Sequence, residues 1–230
     1  MSVPFYVSPE QLMQDRAEFA RKGIQRGRAV VALACEEGIA LVAENRSPSL
    51  HKVSEIYDRI GFVAVGRYNE FEALRVAGVR QADLRGYSYD RRDVSARGLA
   101  GFYSQLLGAA FASAEKPYEV GLIVAELGLE PGGDVFFQVA HDGTITENSH
   151  YAVLGGDQKQ VTARLQQGLP ETGWLGGLAE AIRLARTALS EEDPLPAETL
   201  EVAVLERDCH TRRTFKRVGG DALSSWLENE

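Results

Sequence analysis

Four apolar, β-branched runs follow one another early in the chain, joined by links too short for a crossover. Ala29 to Ala34 reads Ala-Val-Val-Ala-Leu-Ala, apolar on both faces, and predicts a buried strand. Glu36-Glu37-Gly38 makes a turn, and Ile39 to Ala43 returns as a second strand. Lys52 to Ile56 and Phe62 to Val65 give two more, separated by Asp58-Arg59-Ile60-Gly61. A parallel pair needs a crossover of about a dozen residues or more, usually a helix. The early strands therefore predict an antiparallel sheet and exclude βαβ units.

The remaining elements extend this plan. Asn69 is placed to cap a helix carrying Phe71, Leu74, Val76 and Val79, and Asp93 to cap a second through Leu99, Tyr103, Leu107 and Phe111. Strands resume at Val120 to Leu127, Val135 to Ala140 and, after the tight His141-Asp142-Gly143-Thr144 turn, up to Tyr151 to Leu154. A helix through Val161 and Leu165 follows, then another over Trp174 to Leu189. Leu200 to Leu205 and Thr214 to Val218 form a final hairpin, and Asp221 caps a short terminal helix. Helix pairs between sets of antiparallel strands predict an α+β fold of two stacked antiparallel sheets with helices on both outer faces. No internal repeat or linker divides the chain, so residues 1–230 are expected to form a single domain.

Ahead of the strands, residues 8–27 carry the marks of one helix. Ser8 is a good N-cap, Pro9 suits the first helical position, and Gln11 completes a capping-box pattern. Arg21, Lys22 and Arg26 gather at the far end, where Gly27 is placed to supply a left-handed cap. Met13, Ala17, Ala20 and Ile24 fall on one stripe, with Leu12 and Phe19 beside it. Such a helix needs a surface to lie on, which pattern alone places in its own domain. Residues 1–7 show no regular-structure signal and read as a loose terminal arm.

Composition and motifs exclude several function classes. A formal net charge of −8 argues against a general nucleic-acid-binding surface. No apolar run is long enough to cross a bilayer, and the N-terminus has no basic region or cleavage pattern. Cys35 and Cys209 are far apart and read as free thiols, so a cytoplasmic protein is expected. His51, His141, His150 and His210 are scattered without ligand spacing, so neither a metal nor another cofactor is expected. Gly155-Gly156-Asp157 opens a helix that could receive an anion, but no Gly or Lys-Ser/Thr follows to make a phosphate loop. No Gly-x-Ser-x-Gly elbow is present.

Several motifs in order then become specific. Ser8-Pro9, Glu18-Phe19-Ala20-Arg21 and Gly27 resemble the N-terminal signature of 20S proteasome α-type subunits. Leu41-Val42-Ala43-Glu44-Asn45-Arg46, His51-Lys52-Val53 and Gly61-Phe62-Val63-Ala64-Val65-Gly66 are similar to the family's next landmarks. Lys116-Pro117-Tyr118-Glu119-Val120, Asp142-Gly143-Thr144-Ile145 and Leu154-Gly155-Gly156 continue the match over nearly the whole chain. Tyr6, Ala20-Arg21-Lys22-Gly23-Ile24 and Tyr89-Asp90-Arg91-Arg92-Asp93-Val94 look most like the actinobacterial branch.

The resemblance implies a four-layer αββα sandwich of the N-terminal nucleophile hydrolase type over residues 28–230. It also implies a homo-heptameric ring: six further α copies join this one, and the ring caps rings of proteolytic β-type subunits. In those β-type relatives a threonine at the mature N-terminus is the nucleophile and its own amine the base. Here that position is Arg28, with Glu44 and Lys52 where the active subunits carry supporting groups. The chain is therefore expected to be non-catalytic; a self-contained hydrolase of the same fold is the alternative. The resemblance assigns Lys52 and Gly66 to a pocket for the C-terminal tail of a hexameric proteasomal ATPase or other activator. It makes Ser8, Pro9, Leu12, Phe19 and Ile24 part of a ring and β-docking helix. Met1, Ser2, Val3, Pro4, Phe5, Tyr6 and Val7 become a gating tail that admits unfolded, Pup-tagged protein substrates.

Overall fold

A computed structural model describes residues 8–113, 116–170 and 176–228. The first strands form as the apolar runs require: β1 (Val30–Cys35), β2 (Gly38–Glu44), β3 (Val53–Tyr57) and β4 (Ile60–Gly66). Helices α2 (Tyr68–Ser88) and α3 (Ala96–Ala112) follow, then β5 (Val120–Glu126), β6 (Val135–Val139), β7 (Ile145–Asn148) and β8 (Tyr151–Leu154). The chain continues through α4 (Gln158–Gly168), α5 (Leu178–Leu189), β9 (Leu200–Glu206), β10 (Phe215–Val218) and α6 (Gly220–Glu228). The N-terminal helix is α1 (Pro9–Gln25).

The strands form two antiparallel five-stranded sheets, ordered β10-β9-β2-β1-β8 and β3-β4-β5-β6-β7. Alternation along each strand sorts its side chains into three buried layers. Val30, Ala32, Ile39 and Leu41 of one sheet meet Val63, Val65, Ile123 and Phe136 of the other. On the outer face of the first sheet, Val31, Leu33 and Val42 pack under Leu165 of α4 and Ile182 of α5. On the outer face of the second, Phe62 and Leu122 pack under Phe71 of α2 and Tyr103 of α3. Because both sheets are covered on both faces, their central strands are apolar throughout rather than alternating. The layers run helix, sheet, sheet, helix: the αββα sandwich. Gly61 lets the sheets come together, since a Cβ there would lie 2.8 Å from Leu41 Cδ1 across the gap.

Several local expectations are corrected. The N-cap of α2 is Arg67, with no side-chain cap bond, and Asn69 lies inside the helix. Ser95, not Asp93, caps α3, its hydroxyl accepting from the Gly98 amide, while Asp93 lies in a short 3₁₀ turn. Helix α5 begins at Leu178, and Trp174 lies outside the described residues. Asp221 falls within α6 rather than before it. The His141-Asp142-Gly143-Thr144 turn forms as expected, with Gly143 at φ +86°.

Candidate functional site

The catalytic-like position lies just before β1, at one end of the gap between the sheets. The Arg28 guanidinium pairs with the buried Glu44 carboxylate, and Arg46 stands 3.7 Å from the same carboxylate. The Lys52 ammonium donates to the main-chain carbonyls of Glu44 at 2.9 Å and Arg28 at 3.1 Å. Arg28, Glu44 and Lys52, singled out along the chain, therefore do converge. The Lys52 pKa is lowered from 10.5 to about 8: burial is the main cause and Arg28 adds to it, while the carboxylates of Glu44 and Glu201 act the other way. The cation is thus held by carbonyl dipoles in a site that incompletely replaces its hydration.

This constellation cannot open a peptide bond. A nucleophile of this class needs a hydroxyl or thiol at the start of the strand and a free amine beside it. Arg28 offers neither group: its side chain is committed to Glu44, and its nitrogen is in peptide linkage to Gly27.

Glu201 organises the neighbouring strands and was missed in the sequence. Its carboxylate accepts from the Lys52 and Val53 amides at 2.8 and 3.2 Å and from Asn45 Nδ2 at 2.8 Å. Arg217 donates to it at 2.9 Å, and His51 Nδ1 stands 3.1 Å away. The only local sign is an acid one residue into the otherwise apolar run that opens the Leu200–Glu206 strand.

Gly66 ends β4 close to Gly27, where a Cβ on Gly27 would lie 3.4 Å from the Gly66 nitrogen. It sits at φ +130°, where a Cβ would lie 1.8 Å from the Glu119 carbonyl oxygen, so glycine is required for both conformation and space. Gly27 is needed for space alone. It does not adopt the left-handed cap that its position suggested; Arg26 ends α1 in a right-handed conformation. A Cβ at Gly27 would meet Val65 Cγ1 at 2.3 Å.

Helix α1 is anchored through its second half. Ala20 is fully buried, Ile24 packs on the layer between the sheets, and a Cβ at Gly23 would strike the Glu119 side chain. Arg16 donates from Nε to the Phe111 carbonyl at 3.0 Å and from its terminal nitrogen to the Ala110 carbonyl at 3.1 Å, capping α3. The Ser8 hydroxyl accepts from the Gln11 amide at 3.2 Å, and Pro9 takes the first turn. The Gln11 side chain turns to Asp15 instead of completing a capping box. Leu12, Met13 and Phe19 remain 53%, 43% and 46% exposed, so among the described residues one apolar flank of the helix has no cover. Lys116 Nζ stands 5.6 Å from the Phe19 ring centroid. The proposed gate residues 1–7 lie outside the described residues.

The other candidates stay apart. Cys35 is buried, donates to the Gly38 carbonyl at 3.3 Å, and has its pKa pushed up to about 11 by burial. Cys209 lies on the loop before β10. Among the described residues no group of three or more His, Cys, Asp or Glu side chains converges as a metal site, and no helix is long and apolar enough to cross a membrane.

Comparison with known proteins agrees with this geometry. Residues 24–205 match the family model described as proteasome subunit. The chain is 54% identical over 239 residues to the proteasome subunit alpha of Arthrobacter sp. (strain FB24), covering 100% of both chains. It is 53% identical over 239 residues to that of Kineococcus radiotolerans, covering 99% of this chain and 98% of the relative. Against that of Streptomyces coelicolor it is 54% identical over 235 residues, covering 100% of this chain and 91% of the relative. With a sandwich of this type, an arginine at the nucleophile position and relatives matched along their whole length, the chain belongs to the proteasome α-subunit family, the non-catalytic outer-ring components of the 20S core.

Proposed function

We propose that seven copies of this chain form a ring that caps β-type subunits, gates entry of unfolded, Pup-tagged substrates, and docks the C-terminal tail of a hexameric ATPase or other activator at Lys52 and Gly66. The state of Lys52 carries this reading. Its ammonium uses two of three donors on main-chain carbonyls, and burial holds its pKa near 8. A carboxylate arriving there would take the third donor and form a charge-assisted pair with the ammonium. Capture of a terminal carboxylate is an established mode of peptide recognition. The exposed Leu12, Met13 and Phe19 flank of α1 supports a role for that helix against a neighbouring subunit. Residues 1–7, which precede this helix in the sequence, take the role of the gate in this reading.

Replacing Lys52 by alanine tests the docking assignment. Particles assembled with Lys52→Ala are expected to keep their ring stoichiometry and basal peptide hydrolysis while losing activator-stimulated protein degradation. Stimulation that survives the substitution would refute the pocket.

A further inference from the structure

We propose that His141 is an acid-operated release for helix α1: when its ring takes up a proton, the second half of the helix is loosened from the sandwich. The residue lies in the turn after β6, is only 5% exposed, and its Nε2 has no hydrogen-bond partner. In a neutral imidazole one of the two nitrogens carries no hydrogen, and Nε2 can be that one. In the imidazolium both nitrogens are donors. Protonation therefore leaves a sealed N–H without an acceptor and brings a full charge into a buried ring.

The groups around the ring do not offset that cost. On α3 its neighbour is Phe111, edge-on at 5.6 Å between centroids, which brings no charge. On α1, the charge of Arg21 opposes a second cation, and the Arg16 guanidinium stands 5.8 Å from the centroid of the same Phe111 ring. From α4 and its N-cap, Lys159 and Asp157 line the cavity shared with His141 and carry opposite signs. Asp142, next in the chain, favours the charged ring, but its carboxylate already accepts from the Thr144 amide at 2.9 Å. Burial has the largest effect and holds the pKa of the ring below its ordinary 6.5, with Arg21 acting in the same direction.

The packing decides which element gives way. The turn is closed by the Gly143 amide on the Ala140 carbonyl and by the Ala140 amide on the Thr144 carbonyl, both at 2.9 Å. It is fastened to α3 by the Ser104 hydroxyl, which donates to the Gly143 carbonyl at 2.6 Å. The approach is so close that a Cβ on Gly143 would lie 2.5 Å from the Ser104 carbonyl oxygen. His141 therefore stays with α3. Helix α1 has a single buried residue, Ala20, and Arg21, Ile24 and Gln25 of its last turns line the cavity beside His141. Lifting this end of α1 separates Arg21 from the imidazolium and brings water toward the ring. The release is a property of the chain itself and does not rest on the gating or tail-docking roles proposed above.

Hydrogen–deuterium exchange of the full chain tests it, read on peptides spanning residues 9–25 and corrected for the intrinsic pH dependence of exchange. An opening that takes up one proton becomes up to about tenfold more favourable per pH unit below the unfolded pKa. Between pH 6.5 and 5.5 the protection of α1 is therefore expected to fall severalfold, up to this limit, while peptides from β1 and β2 keep theirs. His141→Gln has no proton to take up and should abolish the acid effect. Arg21→Gln falls on an exposed side chain and leaves the buried ring in place. It should shrink the effect, because the folded ring then titrates nearer its ordinary value. Unchanged protection of α1 in the unaltered chain, an acid effect confined to the His141 turn, or an undiminished effect in either variant would overturn the proposal.

Discussion

Lys52 donates from its ammonium to the main-chain carbonyl of Arg28 at 3.1 Å, so the supporting lysine of the fold meets an arginine backbone where a nucleophile would stand. The Arg28 side chain pairs with the Glu44 carboxylate. The supporting frame is kept while the reacting group is absent, and the frame now serves to hold charge at one end of the sandwich.

Restoring a hydroxyl is not expected to restore chemistry. Arg28→Thr leaves the nitrogen of residue 28 in a peptide bond behind Gly27, so no free amine is available as base. The purified variant should hydrolyse fluorogenic peptides no faster than the unaltered chain. A measurable burst of product would contradict the non-catalytic assignment of this site.

Lys52 also predicts a pH dependence of stability. Its pKa in the fold is about 8 against 10.5 for the ordinary side chain. Between these values the unfolded chain binds the extra proton, so this residue's contribution to stability rises with pH through that window. Lys52→Met should remove that rise. Urea denaturation of both proteins at pH 7.5, 9 and 10.5 measures the difference, and parallel curves would count against the buried, desolvated lysine.

Glu201→Gln should cost about 2–3 kcal/mol, because a buried carboxylate with charged and main-chain donors is replaced by a neutral amide that brings its own N–H groups against them. Chemical denaturation reads the loss directly. A change below about 0.5 kcal/mol, the range of ordinary surface substitutions, would mean that the carboxylate does not join the strands as described.

Deletion of residues 1–7 should raise the basal peptide hydrolysis of particles assembled with β-type subunits, without altering the rate for the isolated chain. The comparison requires only a short fluorogenic peptide and equal particle concentrations. Unchanged hydrolysis would remove these residues from the gate.

Most of the fold was legible in the chain because its signals are local. The two-sided apolar runs at Val30–Cys35 and Gly38–Glu44 mark strands covered on both faces, and short links force them antiparallel. Ser8 and Pro9 mark the start of α1 through contacts within one turn. Cap assignments at Asn69 and Asp93 failed for a related reason. Both residues favour helix starts, yet the start is set by where β4 ends and where Ser95 can reach the Gly98 amide. The candidate site was half legible: Arg28, Glu44 and Lys52 stood out by resemblance, whereas Glu201 did not. It lies 149 positions from Lys52, and nothing local distinguishes its partners.

The sequence by itself determined the strand pattern, the antiparallel pairing, the family and the absence of a nucleophile, since each depends on residue type and short-range spacing. Only the tertiary structure decided that Gly27 is a packing glycine rather than a left-handed cap. It alone decided that α1 is fastened by Gly23, Ile24 and Arg16 while Leu12, Met13 and Phe19 stay uncovered by the described residues. It alone joined Glu201 to Lys52 and His51. These relationships arise where distant segments meet, and burial, charge pairing and close approach there are properties of the assembled layers rather than of any stretch of chain.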